Sequence, residues 1–190
     1  MVRVVARLAS RNEHKARELE RALTGWRIEL LDVDELPPEE GSTYYENARA
    51  KARFGRRLAE PDVWVLGEDS GIEVTALRGR PGVQSARWAA EGEHLDKLLT
   101  ALEGRDDRRA RYVCELVGIS PGGQERRGRG TLEGAVALAR RGSEGFGYDP
   151  IFVPEGETRT VAELGDDWKA RNSHRARAAR ALEDLVAQSH

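Results

Sequence analysis

One cysteine, Cys114, stands in a chain of 190 residues. A single thiol excludes an intrachain disulfide framework and any all-cysteine metal site within the chain, and it points to a reducing cytoplasm. Long apolar runs are missing as well. Nothing approaches the roughly 20 apolar residues of a membrane-spanning helix, and Met1 to Val5 leads straight into a strand-like segment without the apolar core and cleavage site of a leader. No membrane partner is expected. There is no excess of positive charge either: the formal net charge is -2 with 34% charged residues. That argues against polymeric nucleic acid as a partner while leaving room for a local basic site that takes a small phosphate ligand. Lysine is scarce. Of the 31 basic residues only Lys15, Lys51, Lys97 and Lys169 are lysines, and the other 27 are arginines. Where arginine is the default cation, a lysine marks either chance or a site that needs a compact point charge instead of a planar fork.

The length suits a single domain spanning residues 1–190, large enough to bury a substantial core. Val2 to Leu8 is an apolar, β-branched run that reads as a buried strand, and Ala16, Leu19 and Leu23 mark a helix over Ser10 to Leu23. Ile28 to Val33 reads as a second strand, Asp34 to Ser42 as an acidic, proline-containing loop, and Thr43 to Ala59 as a helix. Two short strands, Val63 to Leu66 and Ile72 to Leu77, flank Gly67 to Gly71, and a Gly/Pro-rich loop follows over Arg78 to Arg87. After a helix from about Leu95 to Leu102, the strands Ala110 to Ser120 and Gln124 to Leu138 flank Pro121-Gly122-Gly123, a hairpin signal. A glycine-studded loop over Gly142 to Asp149, a short strand at Ile151 to Val153 and one Arg- and Ala-rich helix complete the chain. The order predicts an α/β fold with a mixed central sheet flanked by helices.

Five segments carry residues suited to chemistry. Ser10-Arg11-Asn12-Glu13-His14-Lys15 lies where the first strand yields to the first helix. Ser10 and Glu13 have the spacing of a capping box, yet Lys15 sits in the first helical turn, where the macrodipole disfavours a cation. A phosphate cradled by Ser10, Asn12 and Lys15 would relieve that. In Glu39-Glu40-Gly41-Ser42-Thr43-Tyr44-Tyr45-Glu46-Asn47, the Thr43 and Glu46 pair reads as a capping box, leaving Glu40 as the freer carboxylate and the candidate metal ligand. Asn47 and Lys51, four apart, share a helix face. Glu68-Asp69-Ser70-Gly71 follows an apolar strand and reads either as a turn or as carboxylates at a strand's C-terminal end, where open α/β sheets bind ligands. Glu40 with Asp69, and Glu68 as an additional donor, would serve magnesium, which takes few carboxylates and completes its shell with water and phosphate. Phe146 and Tyr148 in Gly145-Phe146-Gly147-Tyr148-Asp149-Pro150 offer rings for base stacking or for packing on the core. Lys169 and Ser173-His174-Arg175 add donors near the start of the last helix.

In their order these segments resemble the inosine triphosphate pyrophosphatase family, also called Ham1-like or XTP/dITP diphosphatases. Ser10 to Lys15 is similar to the family's T-x-N-x-x-K, and Tyr45 to Ala52 to its [FY]-x-E-N-A-x-x-K-A, offset by one aromatic position. Glu68 to Ala76 with Gly79 to Arg87 resembles D-D-S-G-L-x-V-x-A followed by G-x-P-G-V-x-S-A-R. Gly145 to Phe152 reads GFGYDPIF, and Ser173-His174-Arg175 is the family's S-H-R. The chain departs from the pattern at Ser10 for threonine, Arg11 for glycine, Glu68 for aspartate, and in a shorter segment between Arg87 and Leu95.

The resemblance implies an elongated two-lobed domain with the active-site cleft between the lobes, a homodimer, and magnesium as cofactor. The implied substrates are non-standard purine nucleoside triphosphates (ITP, dITP, XTP), cleaved between the α- and β-phosphates to the monophosphate and pyrophosphate. It assigns Asp69 as the base, Glu40 and Asp69 as metal ligands, and Ser10, Asn12, Lys15, Lys51 and Ser70 to the phosphates. Phe146 would stack on the purine, Gly147, Tyr148 and Asp149 would shape the pocket, and Lys169, His174 and Arg175 would donate to the 6-keto oxygen that adenine lacks. A nucleotide binder without hydrolysis, or a pyrophosphatase for other modified nucleotides, are the competing readings.

Overall fold

A computed structural model describes residues 4–90 and 92–188; Val2 and Arg3 of the first expected strand lie outside the described residues. Six strands form one sheet in the order β2-β1-β3-β4-β5-β6. β1 (Val4–Leu8) pairs in parallel with β2 (Trp26–Leu30) and with the start of β3 (Trp64–Val74), whereas β4 (Arg109–Ile119), β5 (Glu125–Val136) and β6 (Phe152–Pro154) add antiparallel pairs. The mixed α/β fold expected from the sequence is present. β2 lies earlier than the apolar run Ile28 to Val33 suggested, because its register against β1 joins Val4 to Trp26 and Leu8 to Leu30.

The largest departure is at residues 67–71. The sequence suggests two short strands separated by a turn, but β3 runs unbroken for 11 residues through Gly67-Glu68-Asp69-Ser70-Gly71. Ten consecutive residues of β4, ending with Ala110 opposite Val74, hold it extended. The strand that ends here is β1: its pairing with β3 stops at Leu8 opposite Leu66. Glu68 and Asp69 therefore lie just past the C-terminal end of a parallel strand, where an open sheet binds ligands, although their own strand continues.

Among the described residues five α-helices cover the sheet: α1 (Glu13–Ala22), α2 (Tyr44–Arg56), α3 (His94–Ala101), α4 (Val161–Asn172) and α5 (His174–Ala187). The capping box at the start of α2 is formed as expected, with Thr43 and Glu46 exchanging bonds. That at α1 is not: Asn12 is the cap, its Oδ1 accepting from the His14 and Lys15 backbone N–H groups, while Ser10 Oγ accepts from the Asn12 N–H. The single closing helix is two. Gly165, at φ 79° and ψ 178°, breaks α4, and extended Ser173 ends α4 and caps α5. Lys169 and His174 thus belong to different helices.

Close backbone contacts seat α2 and α5. A Cβ at Gly67 would lie 2.1 Å from the Ala48 carbonyl oxygen of α2, and one at Gly130 would lie 2.1 Å from the His174 carbonyl oxygen of α5. Of the three apolar clusters that result among the described residues, two flank the cleft. One gathers Leu8, Leu19 and Leu23 with Leu66, Leu116 and Leu182, and the other gathers Ile72, Leu98 and Tyr112 with Ile151 and Phe152. β3 and β4 pass through both. Along one face of β3, polar Glu68 and Ser70 separate Leu66 of the first core from Ile72 of the second.

Candidate active site

Side chains alternate between the faces of a strand, so the adjacent carboxylates Glu68 and Asp69 enter different surroundings. Glu68 faces α1 and α5. Lys15 Nζ lies 2.5 Å from its Oε2, and Arg175 donates to its Oε1 from Nε at 3.2 Å and from Nη2 at 2.9 Å. Burial would raise the Glu68 carboxyl, but Lys15 and Arg175 outweigh it and hold it well below the ordinary range. Asp69 faces α2. Asn47 Nδ2 donates to its Oδ2 at 3.0 Å, and Lys51 Nζ lies 3.6 Å from its Oδ1. For Asp69 burial prevails over Lys51 and Asn47, and its carboxyl is held above the ordinary value.

Glu39, not Glu40, joins this cluster. Glu39 pairs with Lys51 and with Arg87, whereas Glu40 is exposed and makes none of these bonds. The loop Asp34 to Ser42 has no periodicity from which to judge which of two consecutive glutamates turns inward; Lys51 and Arg87, distant in sequence, decide it. Glu68 likewise points away from Asp69, into a cluster of cations. Glu39 and Asp69 thus form the carboxylate pair that faces a common positive charge, the Lys51 ammonium.

A second cluster lies on the other side of Ser70, which accepts from Arg175 Nη2 at 3.0 Å. Lys169 Nζ sits 2.6 Å from Asp149 Oδ2 and also pairs with Glu18, which pairs in turn with Arg175. Glu18 was not singled out in the sequence, where it is one charge among many on an amphipathic helix. Burial would lower Lys169, but Asp149 and Glu18 more than offset it and keep the ammonium above its ordinary value. Asp149 is fully engaged, with Tyr112 Oη donating at 3.1 Å and the Phe146 backbone N–H at 3.0 Å. His174 stacks on Tyr112, with centroids 4.4 Å apart and planes 10° apart. Burial, reinforced by the charge of Arg175, pushes its imidazole well below the ordinary value, so the ring is neutral at neutral pH.

The Phe146 ring is half-buried, neither packed into the core nor free in solvent. Lys169 Nζ lies 4.9 Å and the Arg175 guanidinium 5.4 Å from its centroid. Tyr148 is buried, its hydroxyl donating to the Ser85 carbonyl at 2.9 Å, while Gly147 accepts from His94 Nε2 at 3.1 Å. These groups enclose about 480 Å³ that reaches from Phe146, Lys169 and His174 to Ser70, Asn12 and Lys15. A second groove of about 750 Å³ continues from Asn12 and Lys15 past Ser10 to Glu39 and Lys51. One end of the cleft carries the rings of Phe146 and Tyr148; the other carries Ser10, Asn12, Lys15, Glu39 and Lys51 beside the start of α1. Such a cleft suits a flat heterocycle joined to phosphates.

A family model described as the Ham1 family matches residues 6–185. The chain belongs to the Ham1 family. It is 44% identical over 188 residues to a dITP/XTP pyrophosphatase of Symbiobacterium thermophilum, covering 95% of this chain and 94% of that one. It is 43% identical over 179 residues to a dITP/XTP pyrophosphatase of Gloeobacter violaceus, covering 92% and 90%. The solved structure of the Staphylococcus aureus Ham1 protein superposes with a TM-score of 0.83 at 32% identity, covering 98% of this chain and all of that one. These Ham1-family likenesses span both cores and every segment of the cleft.

Proposed function

We propose that this Ham1-family chain hydrolyses non-standard purine nucleoside triphosphates (ITP, dITP and XTP) to the monophosphate and pyrophosphate. One observation carries the reading: a groove runs from Phe146, Lys169 and His174 past Ser70, Asn12 and Lys15 to Glu39 and Lys51, and Asp69 stands beside its far end, held by Asn47 and facing Lys51. Relatives bearing the name dITP/XTP pyrophosphatase support it.

Asp69 takes the proton of the water that attacks the α-phosphorus, a role favoured by a pKa above the ordinary aspartate value. Pyrophosphate then leaves. Lys15 and Lys51 meet phosphate oxygens as point charges, and Ser10, Asn12 and Ser70 add neutral hydrogen bonds. The site's own charges are already balanced. Lys15, Lys51, Arg87, Lys169 and Arg175 are paired with Glu18, Glu39, Glu68, Asp69 and Asp149. A triphosphate therefore adds negative charge that these five paired cations do not offset. Hard oxygen donors at Glu39 and Asp69 fit magnesium, which needs only one or two carboxylates beside phosphate and water; no group of three metal-ligating side chains is found among the described residues. When bound there, magnesium would offset phosphate charge and lower the pKa of water.

At the other end Phe146 stacks on the purine. Lys169, with two of its three donors spent on Asp149 and Glu18, keeps one for the base, and neutral His174 can donate from one ring nitrogen. A 6-keto oxygen accepts these bonds, whereas the 6-amino group of adenine leaves buried donors unpaired. The reading also includes a homodimer and a cytoplasmic setting; sedimentation and cell fractionation test these two. Incubation with ITP, XTP, GTP and ATP in magnesium, with product identification, tests the activity. Pyrophosphate and monophosphate from ITP and XTP, at rates well above ATP, are expected. Release of orthophosphate, equal rates on ATP, or binding without turnover would overturn it.

A further inference from the structure

Between the loop that carries Glu39 and the strand that carries Asp69 stands Asn47, 2% exposed on the inner face of α2. Its amide is used at both ends: Oδ1 accepts from the Gly41 backbone N–H at 2.8 Å, and Nδ2 donates to Asp69 Oδ2 at 3.0 Å. A backbone N–H can only donate, so the end of the amide facing Gly41 is the oxygen and the end facing Asp69 is the donor. The two oxygens of Asp69 are thereby made unequal. Oδ2 is held by Asn47, and Oδ1 is left toward Lys51, the ammonium shared with Glu39.

We propose that Asn47 is a positioning residue that fixes the orientation of Asp69 and its separation from Glu39, and so shapes the divalent-cation site. The proposal rests on the reading of Asp69 and Glu39 given above. Asn47 itself has little freedom. The Thr43 and Glu46 capping box locks the first turn of α2 immediately before it, and Ala48 immediately after it lies against Gly67 without room for a Cβ. The Glu39 loop approaches equally closely, for a Cβ at Gly41 would lie 2.6 Å from Asn47 Oδ1. If the residue served only to satisfy the Gly41 N–H, an aspartate or serine acceptor would do. Only an amide also presents a donor to Asp69.

The test compares Asn47→Ala and Asn47→Asp in the full chain, with Asp69→Asn alongside. Binding of Mn2+ alone is followed by electron paramagnetic resonance, and kcat and KM are measured with ITP in magnesium. Losses of about 10–100-fold are typical when a group supporting a metal ligand is removed, and Asn47→Ala is expected to lose that much in both Mn2+ affinity and kcat. Its KM should stay within about twofold, because the phosphate and base contacts remain. Asn47→Asp keeps an acceptor for Gly41 but offers Asp69 no donor, so it should lose kcat as Asn47→Ala does while melting closer to the wild type. A folded Asn47→Ala with wild-type Mn2+ affinity and kcat would overturn the proposal, as would Asn47→Asp with wild-type kcat. Failure of both variants to fold would also overturn it, assigning Asn47 to the fold alone. Full activity in Asp69→Asn would instead remove the reading on which the proposal stands, whereas an inactive Asp69→Asn beside an unimpaired Asn47→Ala would remove only the role of Asn47.

Discussion

Lys169 illustrates why single residues in this cleft matter to stability and to chemistry together. Its ammonium is the shared partner of Asp149 and Glu18, so Lys169→Met would leave two carboxylates buried with less compensation. Breaking a buried pair in this way costs about 3–5 kcal/mol. A lowered melting temperature, a higher KM for ITP and a poorer ITP-to-ATP ratio are expected together; an unchanged ratio in a folded variant would remove Lys169 from base selection. Asp69→Asn keeps the shape but not the basicity, and from the proposed role of Asp69 as general base a loss of at least about 10²-fold in kcat is expected, measured beside a circular dichroism spectrum that shows the fold intact. His174 makes a pH prediction. Its folded value lies below its unfolded one, so its contribution to stability is complete above about pH 6.5, the ordinary imidazole value, and is lost progressively as the pH falls below that toward the folded value. Glu68, depressed in the folded state, begins to lose its contribution only below about pH 4.3, where an unfolded glutamate protonates. Urea unfolding at pH 7.5 and 5.5 should therefore show acid destabilisation that is shallower in His174→Phe.

At the scale of elements, the cleft depends on helices seated by glycine. α2 rests on Gly67 and carries Asn47 and Lys51; α5 rests on Gly130 and carries His174 and Arg175. A methyl group at either site must push a helix backbone away, and overpacking of this kind costs about 1–3 kcal/mol. The two substitutions should differ in kinetics. Gly67→Ala moves groups at the Asp69 end and should lower kcat most, whereas Gly130→Ala moves groups at the base end and should raise KM for ITP most. Steady-state kinetics on both variants would separate them, and identical changes in kcat and KM would refute the division of labour between α2 and α5. The break in α4 has a related purpose. Gly165 occupies a backbone region that side chains rarely adopt, and the half-helix beyond it brings Lys169 to Asp149.

For the whole molecule, two cores share β3 and β4, and the cleft occupies the polar interval between them. A ligand that contacts both sides should stabilise the molecule as a unit. At about 100 times its Kd a ligand contributes about 2.7 kcal/mol, which for a chain of this size raises the melting midpoint by about 5–11 °C. A non-hydrolysable ITP analogue in magnesium should give a shift of this order, and chelation with EDTA should shrink it; an EDTA-insensitive shift would count against a metal between carboxylates and phosphates. Much of this arrangement was legible in the chain. Hydrophobic periodicity marked most elements, the Thr43 and Glu46 spacing located the start of α2, and the cluster around Lys15, Lys51 and Lys169 was foreshadowed by the rarity of lysine. Those features are local, and local spacing is enough to specify them. Tertiary structure decided the rest. The pairing of β4 kept β3 extended through Asp69 and Ser70, where local preference suggested a turn. Lys51 and Arg87 drew in Glu39 in place of Glu40, and the opposite faces of β3 parted Glu68 from Asp69. Those outcomes depend on partners beyond the local segment, from Lys51, twelve residues past Glu39, to Arg175, 107 residues past Glu68, because an unpaired buried charge is costly and only the folded chain determines which counter-charge comes within reach.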